Sequence, residues 1–133
     1  MTIYCATGNP GKLREFRLAG ELLGIDIRPL PDLKSIPEKP EAIFIFANPK
    51  VTEQIVRQCV DLGVKHVWMH CMMGTKPGLA AQMTSVSQDA VQMCRENGIA
   101  VIPGSCPNQF LEPDFGHAMM RMMWRTVGFL NIN

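Results

Sequence analysis

The chain has 133 residues, 47% hydrophobic and 19% charged, which suits a single globular domain able to bury its own core. Thirteen basic against twelve acidic residues leave a net charge of +1, so there is no broad basic field to hold a nucleic-acid backbone. Five scattered cysteines form no C-x-x-C pair, no leader-like segment precedes the first apolar run, and no run approaches the roughly 20 residues of a bilayer span; the expectation is a cytoplasmic protein with reduced thiols and no membrane partner.

In chain order, Ile3 to Ala6 reads as a strand, and Pro10 to Leu23 as a helix closed by Gly24. A second strand, Ile25 to Ile27, leads into Pro29 to Pro40, whose four prolines forbid a long helix. Ala42 to Phe46 contains Ile43-Phe44-Ile45-Phe46, apolar without alternation, as expected of a parallel strand covered on both faces. Pro49 to Leu62, closed by Gly63, carries Val51, Ile55, Val56, Cys59 and Val60 on one face. His66 to Met69 is the fourth strand, Val86 to Asn97 a helix closed by Gly98, and Ile99 to Ile102 the fifth strand. Phe115 to Val127 reads as a last helix, whose methionines at helical spacing suit core packing or a homodimer. Repeated helix, glycine, strand order predicts an α/β fold.

Two junctions share one chemistry. Gly8-Asn9-Pro10-Gly11-Lys12 follows the first strand and Ala47-Asn48-Pro49-Lys50 the third, each where a helix begins. Asparagine caps the open backbone N–H groups, and proline in the first turn has no N–H to lose. N–H groups left over would form an anion site along the helix dipole, with Gly8 and Gly11 admitting close approach and Lys12 adding charge. In an open parallel sheet such loops meet beyond the C-terminal strand ends, together with His70 to Gly78 and Gly104 to Asn108. The junctions match neither a dinucleotide fingerprint nor a Walker loop, and simple capping stays open as their whole role. His70, Cys71, Cys106 and His117 lack metal-ligand spacing, and no orienting acid accompanies a Cys-His pair, so neither a metal nor a catalytic residue is expected.

From about residue 38 onward, Glu41-Ala42-Ile43-Phe44-Ile45-Phe46, Lys50-Val51-Thr52-Glu53-Gln54-Ile55-Val56, Gly63-Val64-Lys65-His66-Val67-Trp68-Met69-His70 and Gly104-Ser105-Cys106-Pro107 resemble the CoA-binding domain proteins. The resemblance implies a Rossmann-like, three-layer fold with a five-stranded parallel sheet in the order 3-2-1-4-5. It implies non-catalytic binding of CoA or a related adenine nucleotide, with CoA as the cofactor. Thr7, Gly8, Asn9, Gly11 and Lys12 would hold phosphate; Ala47, Asn48, Pro49 and Val51 would line the adenosine side, with His70 and Gly74 on the loop after the fourth strand. Ala6-Thr7-Gly8-Asn9-Pro10-Gly11-Lys12-Leu13-Arg14-Glu15-Phe16 instead resembles the opening of the inosine/xanthosine triphosphate pyrophosphatases. That family's Phe-x-Glu-Asn-Ala and Asp-Ser-Gly-Leu segments, which would supply metal-binding acids and a base, are missing here. The alternatives are therefore pyrophosphatase-like activity from the first loop, or a recombinant or engineered chimera of two origins without evolved activity.

Overall fold

The computed structural model describes residues 1–71, 84–110 and 112–127. The chain divides into two compact units, Met1–Lys39 and Pro40–Asn133.

The first unit is one βαβ turn: β1 (Thr2–Ala6), α1 (Pro10–Leu23) and β2 (Asp26–Leu30). β1 and β2 are parallel, in a register running from Thr2 opposite Asp26 to Ala6 opposite Leu30. α1 begins at the Asn9 cap and ends at Gly24, whose φ of 66° is the left-handed conformation that glycine adopts without strain. Only Gly20 is buried in this unit. Phe16 of α1 is 50% exposed. The proline-rich crossover forms a single 3₁₀ turn, Leu33–Ser35, capped by Asp32.

The second unit contains β3 (Ala42–Ile45), α2 (Pro49–Leu62), β4 (His66–Met69), α3 (Gln88–Glu96), β5 (Ala100–Pro103) and α4 (Phe115–Thr126). Its sheet is parallel in the order β3-β4-β5, with Ile43, Val67 and Val101 in line, then Ile45, Met69 and Pro103. Those positions face one way. Ile45, Val67 and Met69 are buried together with Val56 and Cys59 of α2 and Ala90, Val91 and Cys94 of α3. The buried stripe of α2 is Thr52, Val56 and Cys59, one position round from the expected face. Thr52 tolerates burial because its hydroxyl donates to the Asn48 carbonyl at 3.2 Å.

Strands and helices alternate as expected, but the pairing differs. The strands form a two-stranded and a three-stranded sheet, not one five-stranded sheet in the order 3-2-1-4-5. β3 pairs directly with β4, its sequence neighbour across α2. β2 extends through Pro29, opposite Cys5, and a strand carrying proline suits an edge rather than the interior position that the order 3-2-1 requires. Nor is β3 covered on both faces: among the described residues Phe44 is 51% and Phe46 64% exposed. On α4 no residue is buried, so its methionines are not core.

Candidate functional site

Three loops meet at the C-terminal end of the β3-β4-β5 sheet, and backbone hydrogen bonds lock them together. The His70 N–H donates to the Ile45 carbonyl at 2.9 Å, the Ser85 N–H to the His70 carbonyl at 2.8 Å, and the Cys71 N–H to the Ser105 carbonyl at 3.3 Å. Cys71 forms isolated antiparallel bridges to both Thr84 and Ser105. Side chains complete the frame: the Ala47 N–H donates to the Ser85 hydroxyl at 2.9 Å, and the Trp68 indole N–H to the Gly104 carbonyl at 2.9 Å. Ser87 caps α3 by accepting the Ala90 N–H at 3.3 Å and donates its own hydroxyl to Glu53 of α2 at 2.7 Å.

On the open face of this sheet an aromatic row leads to the strand ends. Phe44 meets Trp68 edge-on at 5.9 Å, His70 lies 6.0 Å from Phe44 and 4.6 Å from Phe46, and Trp68 lies 6.2 Å from Phe110. Rings at these separations attract through offset and edge-to-face geometry. Burial favours the neutral imidazole and lowers the pKa of His70.

The Asn-Pro junctions are true helix starts. Asn48 Oδ1 accepts the Val51 N–H at 3.0 Å, and the Thr52 N–H reaches the Asn48 carbonyl at 2.9 Å. Asn9 Oδ1 accepts two N–H groups, from Gly11 at 2.9 Å and Lys12 at 3.3 Å, while Thr7 Oγ1 accepts the Asn9 N–H at 3.2 Å. A Cβ on Gly11 would sit 3.2 Å from Asn9 Oδ1, whereas one on Gly8 would meet nothing within 4 Å. Thus Thr7, Gly8, Asn9, Gly11 and Lys12 are gathered in the first unit, and Ala47, Asn48, Pro49, Val51 and His70 in the second. Gly74 lies outside the described residues.

Two side chains that the sequence reading passed over are the least satisfied of the strand-end frame. Ser105 and Gln109 are fully buried, yet the Ser105 hydroxyl and both polar atoms of the Gln109 amide have no hydrogen-bond partner among the described residues. Each such group typically costs about 1–3 kcal/mol. Ser105 also stands at φ 74°, a left-handed conformation that costs a non-glycine residue about 1–3 kcal/mol. Gln109 begins no regular element: it ends the 3₁₀ turn Pro107–Gln109, its N–H donating to the Cys106 carbonyl at 3.0 Å. The only hint in the sequence was the loop Pro103-Gly104-Ser105-Cys106-Pro107, whose composition says nothing of burial.

Two grooves of the described surface lie away from these strand ends. One of about 580 Å³ runs along Arg17, Gly20, Gly24, Asp26 and Arg28, by the start of β2, and one of about 440 Å³ lies along Ala118, Arg121, Met122 and Arg125 of α4. Among the described residues no group of three or more His, Cys, Asp or Glu is placed to hold a metal, and no helix is long and apolar enough to cross a membrane.

A family model described as "CoA binding domain" matches residues 16–109. The match begins within α1 and ends at Gln109, so it takes in β2 to β5, whereas Thr7 to Lys12 precede it. No curated protein matches the chain. Among solved structures, a hypothetical protein from Pyrococcus horikoshii OT3 is 20% identical with a TM-score of 0.55, over 96% of this chain and 82% of that one. A conserved hypothetical protein from Pyrococcus furiosus is 15% identical with a TM-score of 0.53, over 80% of this chain and 93% of that one. The protein Prb, described as redesigned for binding, is 18% identical with a TM-score of 0.53, over 96% of this chain and 82% of that one. At these identities the likeness is one of fold.

Proposed function

The chain belongs to the CoA binding domain family, and on that premise we propose that it binds CoA or a related adenine nucleotide at the C-terminal ends of its strands, without catalysing a reaction. The family match is the observation that carries the reading, because it spans the β3-α2 junction and both of the later strand-end loops. In the second unit the adenosine side falls to Ala47, Asn48, Pro49, Val51 and His70. The geometry supports this: the Phe46 ring, 64% exposed and 4.6 Å from His70, offers a π-face at the strand end on which a purine can stack. In the first unit, phosphate falls to Thr7, Gly8, Asn9, Gly11 and Lys12, where glycine leaves the backbone open and lysine supplies a point charge.

Calorimetric titration of the whole chain with CoA and with ADP tests the reading. Both are expected to bind, and Phe46→Ala is expected to weaken both by roughly fivefold to a hundredfold, the loss of one base–aromatic stack. Absence of heat and of any thermal shift with either ligand at millimolar concentration removes the proposal.

A further inference from the structure

We infer that the turn Ser105–Gln109 is a preorganised polar subsite that hydrogen-bonds an uncharged donor-and-acceptor group of the bound ligand. The inference rests on the ligand reading above and extends it to residues that reading leaves out. Three observations converge on five residues. The Ser105 hydroxyl and the Gln109 amide are buried and without partners among the described residues, Ser105 is held at φ 74°, and the turn follows β5 directly, on the ligand side of a parallel sheet.

Polar groups left unmatched inside a protein oppose folding, so a chain that retains three of them beside a strained backbone is trading stability for something else. The frame around them is rigid. Gly104 is tied to β4 through its N–H on the Met69 carbonyl at 2.9 Å and its carbonyl on the Trp68 indole at 2.9 Å, and the Ser105 carbonyl accepts from Cys71. The donors and acceptors are therefore placed before any ligand arrives, which is the arrangement that makes binding specific.

The chemical class follows from charge. Residues 97–111 contain no Lys, Arg, His, Asp or Glu, so this segment carries no side-chain charge to pair with a phosphate. A primary amide with a hydroxyl nearby offers donors and acceptors together, which suits a group that carries both. CoA holds two such groups: the amides of its pantetheine arm and the edge of its adenine, to which glutamine can bond in bidentate fashion.

The test is Gln109→Met, which keeps the length of the side chain and removes both unmatched atoms, together with Ser105→Gly, which removes the hydroxyl and relaxes the backbone. Each is expected to raise the melting temperature, by about 3 °C or more, and to weaken CoA by roughly tenfold. Pantetheine and ADP, titrated separately, locate the group: loss confined to pantetheine places an arm amide on the turn, and loss confined to ADP places the adenine edge there. Variants that bind CoA as the wild type does, or that lose stability, overturn the inference. A wild-type chain that binds none of the three ligands overturns the ligand reading, and this one with it, before any variant is compared.

Discussion

Gly20→Ala sets two effects of opposite sign against each other, and the structure decides between them. In an exposed helix interior alanine is favoured over glycine by about 0.8–1.0 kcal/mol. Gly20, however, is the buried residue of α1. A Cβ there would lie 2.6 Å from the Ile25 carbonyl oxygen and 2.6 Å from Ile27 Cγ1, well inside contact distance. One of those atoms is backbone and the other is a methylene bonded directly to the branched Cβ of Ile27, so neither can give way cheaply. Relief requires lifting α1 from β2, at an overpacking cost of about 1–3 kcal/mol, and this strains the bond from the Ile25 N–H to the Gly20 carbonyl, 2.8 Å long and worth about another 1 kcal/mol. After the propensity gain is subtracted, a net loss of about 1–3 kcal/mol remains. Urea denaturation followed by circular dichroism reads that loss, and amide exchange at Ile25 and Ile27 shows whether it is centred on the α1-β2 contact. Ala19→Gly, next to it on the exposed side, calibrates propensity alone. A Gly20→Ala protein as stable as the wild type, or more so, would refute the reasoning.

Two other perturbations have signs that follow directly from the geometry. Ser87→Ala removes both the α3 cap and the bond to Glu53, and is expected to cost about 1–2 kcal/mol in urea denaturation, with Glu53→Gln costing less; equal stability of the Ser87 variant would show that the tie carries no load. Alkaline pH acts on the buried thiols of α2 and α3: burial first, and for Cys59 the neighbouring Cys94 second, push their pKa values from 9.0 to about 12 for Cys59 and about 11 for Cys94. A raised folded-state pKa means stability that is complete below the unfolded value and is lost as pH climbs toward the folded one, so the window opens near 9.0 and closes near 12. Each thiol can contribute a slope of at most about 1.4 kcal/mol per pH unit there, and denaturation at increasing pH should be flatter in Cys59→Ala and Cys94→Ala. An unchanged slope in the double variant would remove the thiols as the cause.

Punctuation was the most legible part of this fold. Asn9-Pro10 and Asn48-Pro49 mark the starts of α1 and α2, and Gly24 and Gly63 mark their ends at φ 66° and 64°, because capping and left-handed backbone are local and depend on few residue types. Gly98 serves the same purpose one residue later than the end of its helix, with Asn97 at the cap and Gly98 at φ 67°. Strand order was not legible in the same way, since it depends on which edges can accept another strand. The informative residue was Pro29, whose missing N–H sits within β2 and which reads from sequence as the end of the strand. Burial was the least legible of all. The run Ile43-Phe44-Ile45-Phe46 looks uniformly apolar, but Ile45 is 1% and Phe46 64% exposed, an alternation set by the pleat and not by composition. Ser105 and Gln109 show the converse: polar residues in a Pro-Gly loop read as solvated, yet both are fully buried, Ser105 in a bridge with Cys71.

The Asn-Pro motif also shows why a helix start and an anion site are not independent readings of one sequence. Both draw on the same few N–H groups, so each bond to the capping asparagine leaves one fewer for a phosphate. At α1, Pro10 has no N–H, Gly11 and Lys12 donate to Asn9 Oδ1, and Leu13 donates to the Asn9 carbonyl at 3.1 Å. The longer bond, from Lys12 at 3.3 Å, is the one a phosphate can displace with least loss. A phosphate at Thr7–Lys12, as proposed above, would therefore depend chiefly on the lysine charge and on backbone approach at Gly8, where a Cβ would meet nothing within 4 Å. In binding terms, Lys12→Ala and Gly8→Val should weaken a nucleotide diphosphate, whereas Asn9→Ala should free two N–H groups while costing α1 about 0.5–2 kcal/mol of cap. Affinity that rises in the Asn9 variant as stability falls would show that cap and ligand compete for the same donors.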